Sequence, residues 1–188
     1  MRKRILVLCA ALFCAVGLLT SCGQSMTDEE AKNILSDLVP RSQLLNEVFW
    51  GEAMTTDDPY ATPMESLTGA QYYPVSEDSP FQSIAEIKAE CAQVYTASYA
   101  ATMYAMAFDG TDEIDSRYSE ENGQLLLDIT FEPYNIDTVI NIDSAKVVDS
   151  TDMSVVVEVD CTIHGEAKKR KITLCKENEV WLLDSPTY

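Results

Sequence analysis

The sequence predicts an α+β fold, with N-terminal helices packed on a curved antiparallel sheet. Two observations carry this. Apolar residues recur at helical spacing in the first part of the chain, at Ile34, Leu35, Leu38, Leu45, Val48 and Phe49, and again at Ile84, Ile87, Cys91 and Val94. From Arg117 onward the period changes to two, with turn residues between short apolar runs. Helices first and antiparallel strands last is the order of a domain whose helices cover one face of a sheet.

The chain opens on the positive cluster Met1-Arg2-Lys3-Arg4, followed by an apolar run from Ile5 to Leu19. A charged start, an apolar middle and small residues before a cut are the parts of an export signal. The run is shorter than the roughly 20 residues that a membrane-spanning helix needs. Leu19-Thr20-Ser21-Cys22 resembles the lipobox of bacterial lipoproteins. The resemblance implies a diacylglycerol on the Cys22 thiol, cleavage just before it, and a membrane-anchored, extracytoplasmic location at the bacterial cell envelope. Neither Cys9 nor Cys14 follows a small residue. The expected organisation is a signal peptide over 1–21, a short lipidated tether over 22–26, and a single α+β domain over 27–188.

Removing residues 1–21 from 188 leaves 167, enough for one domain with a substantial core. Lys plus Arg falls from 13 to 10 while Asp plus Glu stays at 31, for a net charge of −21. Such a surface excludes nucleic acid as a partner, since phosphates need cations to neutralise them. It also repels anionic lipid, so the expected hold on the membrane is the lipid on Cys22.

Along the domain, Thr27-Asp28-Glu29-Glu30 is a capping box. It starts a helix to about Trp50, expected to kink or break before Pro40. Gly51 to Ala70 reads as a long loop with turn chemistry at Asp57-Asp58-Pro59 and Thr62-Pro63. Gln71 to Val75 is a short strand, and Pro74 assigns it to an edge. Ser83-Ile84-Ala85-Glu86 is a second capping box, and its helix buries Cys91. Thr96 caps a further helix through Tyr99, Met103 and Met106 to Phe108, ended by Asp109-Gly110.

Tyr118 to Asp128 is a hairpin through Asn122-Gly123. Strands follow at about Val139–Asp149, Met153–His164, Lys168–Lys176 and Val180–Asp184. With a turn at Gly165-Glu166, Val159 faces Ile172 and Val157 faces Leu174. That alternation puts Val155, Val157, Val159, Cys161 and Ile163 on one apolar face, with Cys175 on the other, and disfavours a Cys161–Cys175 bridge. With Cys22 lipidated, Cys91, Cys161 and Cys175 are an odd set, expected as thiols.

The segments Tyr118-Ser119-Glu120-Glu121-Asn122-Gly123-Gln124-Leu125 and Ile172-Thr173-Leu174-Cys175-Lys176-Glu177-Asn178-Glu179-Val180-Trp181 resemble the NTF2-like or cystatin-like class of extracytoplasmic domains. Glu179 stands where that class has glycine in the turn. Ile84 to Tyr99, with Val94-Tyr95-Thr96, resembles the helical part of bacterial inhibitors of cell-wall DL-endopeptidases. The first resemblance implies the fold; the second implies an inhibitory partner at the envelope.

No catalytic constellation emerges, and the chain reads as a non-enzyme without cofactor or metal. His164, the only histidine, stands on a predicted turn beside Gly165, with no Ser or Cys placed to use it. Asp109 to Asp115 is acidic, yet Ile114 holds the position where a calcium loop needs glycine. The leading expectation is a protein-binding or inhibitory module whose long loop makes the contact through Asp57 and Asp58. The alternative is a small-ligand carrier or vestigial enzyme with a pocket lined by Tyr95, Tyr99 and Met103.

Overall fold

The computed structural model describes residues 25–57, 62–66, 69–111, 114–134 and 136–188. Helix α1 spans Asp28–Phe49. The predicted capping box is complete: the Glu30 amide donates to Thr27 Oγ1, and the Thr27 amide donates to Glu30 Oε2 at 2.8 Å. The helix does not break before Pro40. Pro40 is exposed, so the carbonyl left without its donor faces water, while Leu35, Leu38, Val39 and Leu45 pin the buried face on both sides. Burial of that stripe outweighs the local cost of proline.

The segment after α1 is not all loop. Met64–Glu65 forms strand β1, and Thr56 bridges Val75. Strand β2, Gln71–Pro74, lies inside a sheet rather than at its edge, since β1 pairs with Gln71 and Tyr72 on one side. Proline is tolerated because β1 ends before reaching Pro74. Helix α2 covers Ile84–Val94 and buries Ile87, Cys91 and Val94. Its capping box is only half formed. Ser83 Oγ accepts from the Glu86 amide, but the Glu86 carboxylate turns to the Gln82 amide at 2.7 Å instead of that of Ser83. Helix α3 covers Ala97–Tyr104 from the predicted Thr96 cap and runs on as a π-helical turn, Ala105–Asp109, to Gly110 at φ 62°.

Strands β3 (Tyr118–Glu121) and β4 (Gln124–Asp128) form the predicted Asn122-Gly123 hairpin. β4 also pairs with β2, which completes a four-stranded sheet in the order β1-β2-β4-β3. The remaining strands are β5 (Thr138–Ser150), β6 (Ser154–Ile163), β7 (Glu166–Glu177) and β8 (Val180–Leu183). They form a second antiparallel sheet in sequential order.

The β6–β7 register differs from expectation by two residues. Val157 faces Ile172 and Val155 faces Leu174, with His164-Gly165 as the turn. Both turn residues take positive φ, 49° and 78°, as a two-residue type I′ turn requires. A shift of two preserves the faces, so Val155, Val157, Val159 and Cys161 are buried with Ile172 and Leu174, as expected. Cys175 lies on the opposite face, and Cys91, Cys161 and Cys175 are free thiols.

The molecule is thus α+β, with helices on antiparallel sheets. One hydrophobic core joins α1, α2 and α3 to both sheets; it includes Leu35, Phe49, Ile87, Tyr118, Leu125, Val157 and Ile172.

Candidate functional site

Helix α1 does not cover the whole of its neighbours. Between α1, the α2–α3 junction and the β7–β8 hairpin lies an open groove of about 900 Å³. Ile34 and Leu38 of α1, Tyr95 and Ala100 of the helical junction, and Trp181 and Leu182 of β8 form its apolar lining. Ile34, on the helical stripe predicted with Leu38, is half-buried and packs against the core. Arg41, the groove's cation, is tied to Glu90 at 2.7 Å and to Asp37 at 3.6 Å.

The groove takes in only one of the three residues Tyr95, Tyr99 and Met103 expected to line a pocket. Tyr95 lines the groove, but Tyr99 and Met103 do not. Met103 is buried in the core, and Tyr99 stacks on Tyr95 with ring centroids 5.1 Å apart. The Tyr95 hydroxyl lies within 3.3 Å of Asn46 Oδ1 and 3.4 Å of the Ser42 carbonyl. Thr187 then closes a buried polar network. Asn46 Nδ2 donates to Thr187 Oγ1 at 2.9 Å, and Thr187 Oγ1 lies 2.8 Å from Ser42 Oγ, which donates to the Val39 carbonyl. This network ties the last residues of the chain to α1.

Burial raises the phenols of Tyr95, Tyr99 and Tyr104 above the ordinary tyrosine value, and neighbouring ionisable groups add to it. Burial likewise pushes the Cys91 thiol up to about 12, so it stays protonated and is no nucleophile at neutral pH. His164 is exposed on the β6–β7 turn. Among the described residues no group of three His, Cys, Asp or Glu is placed to hold a metal. The groove offers apolar surface beside the carboxylates of Asp37, Glu177 and Glu179.

Asp57 is exposed beside the Thr56–Val75 bridge, in the long segment that follows α1. Asp58 and Cys22 lie outside the described residues. In the acidic turn after α3, a Cβ on Gly110 would meet the Ile114 carbonyl at 2.7 Å, and the Thr111 amide donates to that carbonyl at 2.7 Å. The chain there closes on its own backbone.

Two features escape sequence reasoning. One is Arg117, the residue at which the period changes. It is buried, donates to the Gly51 carbonyl and, at 3.2 Å, to the Tyr118 hydroxyl, and stacks over Phe131 at 4.3 Å. Its Nη1 has no partner. The other is the cationic run Lys168-Lys169-Arg170-Lys171 in β7. Carboxylates of the same sheet answer part of it. Lys169 bonds Glu158 at 2.7 Å, Lys168 bonds Glu166 at 3.2 Å, and Lys171 is paired in register with Glu158. The run was legible in the sequence; the pairing of Lys169 with Glu158 across the strands was not.

No helix among the described residues is long and apolar enough to cross a membrane. A scan of protein-family models and a search of curated proteins both find no match to this chain.

Proposed function

We propose that this chain is a lipid-anchored, extracytoplasmic binding module that engages a basic protein partner at the bacterial cell envelope. The observation that carries the reading is the placement of two ends. The described chain starts beside the N-terminus of α1, where the Met26 amide donates to Ser150 Oγ at 3.2 Å. The long segment bearing Asp57 starts at the other end of the same 22-residue helix. At 1.5 Å per residue that helix separates them by about 33 Å. A lipid on Cys22 would hold one end at the membrane and leave the loop directed away from it.

Charge supports the reading. Ten cations against 31 acids remain once residues 1–21, which hold three of the 13 cations, are removed. In the densest run of those cations, Lys168 and Lys169 are ion-paired to carboxylates within their own sheet. The unanswered charge of the surface is therefore negative. In keeping with the resemblance to inhibitors of cell-wall DL-endopeptidases, the partner class is a cell-wall hydrolase, and the module inhibits rather than catalyses.

The test is a binding titration against envelope hydrolases at low and high salt, with hydrolase activity followed in parallel. Complementary charge acts mainly on encounter and is screened beyond about 8 Å at physiological salt. The on-rate should fall severalfold as salt rises and should fall again in Asp57→Asn/Asp58→Asn. Cys22→Ala should abolish labelling by a fatty-acid analogue; labelling that persists in that variant removes the anchor from the reading. A second reading, a small-ligand carrier, draws on the groove of about 900 Å³. A small molecule retained by the purified domain, with no hydrolase bound, would put that reading first.

A further inference from the structure

We infer that the end of the domain carrying the β5–β6 and β7–β8 turns is a lipid-contact surface that lies on the bilayer. The inference rests on the lipid-anchor reading of Cys22 and adds an orientation to it. The sheet meanders β5-β6-β7-β8, so those two turns share one end and the His164-Gly165 turn occupies the other. The start of α1 lies at the same end as the first two. Met26 and Glu30 share a cleft with Thr151, Asp152, Lys176 and Trp181. Met26 is pinned to Ser150. Met26 is four residue steps from Cys22, a reach of at most about 14 Å. A lipid at Cys22 therefore brings this end, and no other, to the headgroups.

The side chains presented there are apolar. Met153, in the β5–β6 turn, is 60% exposed, and Val180, at the start of β8, is 56% exposed. Trp181 is half-buried beside them, and an indole with one apolar and one polar edge favours the membrane–water interface. No described residue covers Met153 or Val180. The neighbouring carboxylates Asp152 and Glu179 restrict the contact to the headgroup level, so the end rests on the bilayer without inserting deeply.

The two tryptophans supply a ruler. Trp181 lies at this end, and Trp50 caps the far end of α1. The experiment uses the lipidated full chain in zwitterionic phosphatidylcholine vesicles with brominated acyl chains, which quench nearby indoles. In Trp50→Phe, the remaining Trp181 should lose about half of its fluorescence or more, as a group at interfacial depth would. In Trp181→Phe, the remaining Trp50 should be unchanged. Met153→Glu/Val180→Glu, placed in Trp50→Phe, should keep its lipid and its circular dichroism but lose the quenching. An anchored protein whose Trp181 is unquenched, or whose quenching survives the two glutamates, overturns the orientation alone. Recovery of chain without lipid overturns the anchor reading and the orientation with it.

Discussion

The two four-stranded sheets are held by different forces. The sheet β5–β8 has strands of 13, 10, 12 and 4 residues, and its inner face is apolar from Val155 to Leu174. The sheet β1–β4 has strands of 2, 4, 4 and 5 residues, and although Tyr118, Leu125 and Leu127 join the core, its ladders are short. Side chains bonded to backbone make up the difference. Tyr118 donates to the Val48 carbonyl, Arg117 to the Gly51 carbonyl, and Tyr72 to the Ser116 carbonyl at 2.6 Å. Asp128 Oδ1 accepts from the Gln71 amide at 3.1 Å and the Thr130 amide at 2.9 Å. The lesson is that regular alternation and polar bracing are alternative ways to close a sheet, and only the first leaves a periodic trace in sequence.

That contrast can be broken most directly by paired truncations. Ile172→Ala removes a fully buried side chain from the long-stranded sheet and should cost about 2–5 kcal/mol in urea unfolding. Leu126→Ala falls in the small cluster of Ala70, Tyr72 and Leu126 outside the main core. It should cost less, about 1–2 kcal/mol, because the site lies close to solvent. Equal costs would mean that the short sheet also stands on burial.

Arg117→Met sharpens the contrast from the other side. It keeps an apolar stem of similar length but loses the guanidinium over Phe131 and leaves the Gly51 carbonyl without its donor. The expected loss is about 1–2 kcal/mol, partly offset by removing the unpartnered Nη1. Amide exchange should quicken at Gly51, Ala53 and Tyr118–Glu121, while Val155–Val159 keep their protection. Unchanged stability and exchange would show that the guanidinium does not brace the short sheet.

The smallest effect compares turns. The β3–β4 and β6–β7 turns have Gly123 and Gly165 at their second positions, at φ 79° and 78°. The β7–β8 turn has Glu179 there, at φ 66°. A side chain in that region strains the backbone, and the ion pair from Lys176 Nζ to Glu179 at 2.7 Å compensates only in part. Glu179→Gly should raise Tm by about 2 °C or more. A lower Tm would assign the turn's stability to the ion pair instead.

What the sequence determined by itself is local. The Thr27 and Thr96 caps, the buried stripes of α1 and α2, the Asn122-Gly123 hairpin and the faces of β6 and β7 follow from a few neighbouring residues, so period and cap chemistry suffice to read them. The α+β order was legible for the same reason. Tertiary structure decided what depends on distant partners. Pro40 stays within a helix because the core holds both of its sides. Gln71–Pro74 became an inner strand because β1 pairs on one side and β4, more than fifty residues on, pairs on the other. Glu86 turned to Gln82 rather than Ser83, and the β6–β7 turn moved so that both of its residues could take positive φ. The groove beside Tyr95 brings α1, the α2–α3 junction and the β7–β8 hairpin together, while packing drew Met103 into the core. Period assigns a residue to a face; which residue meets it there is set by long-range contacts, and those leave no local trace.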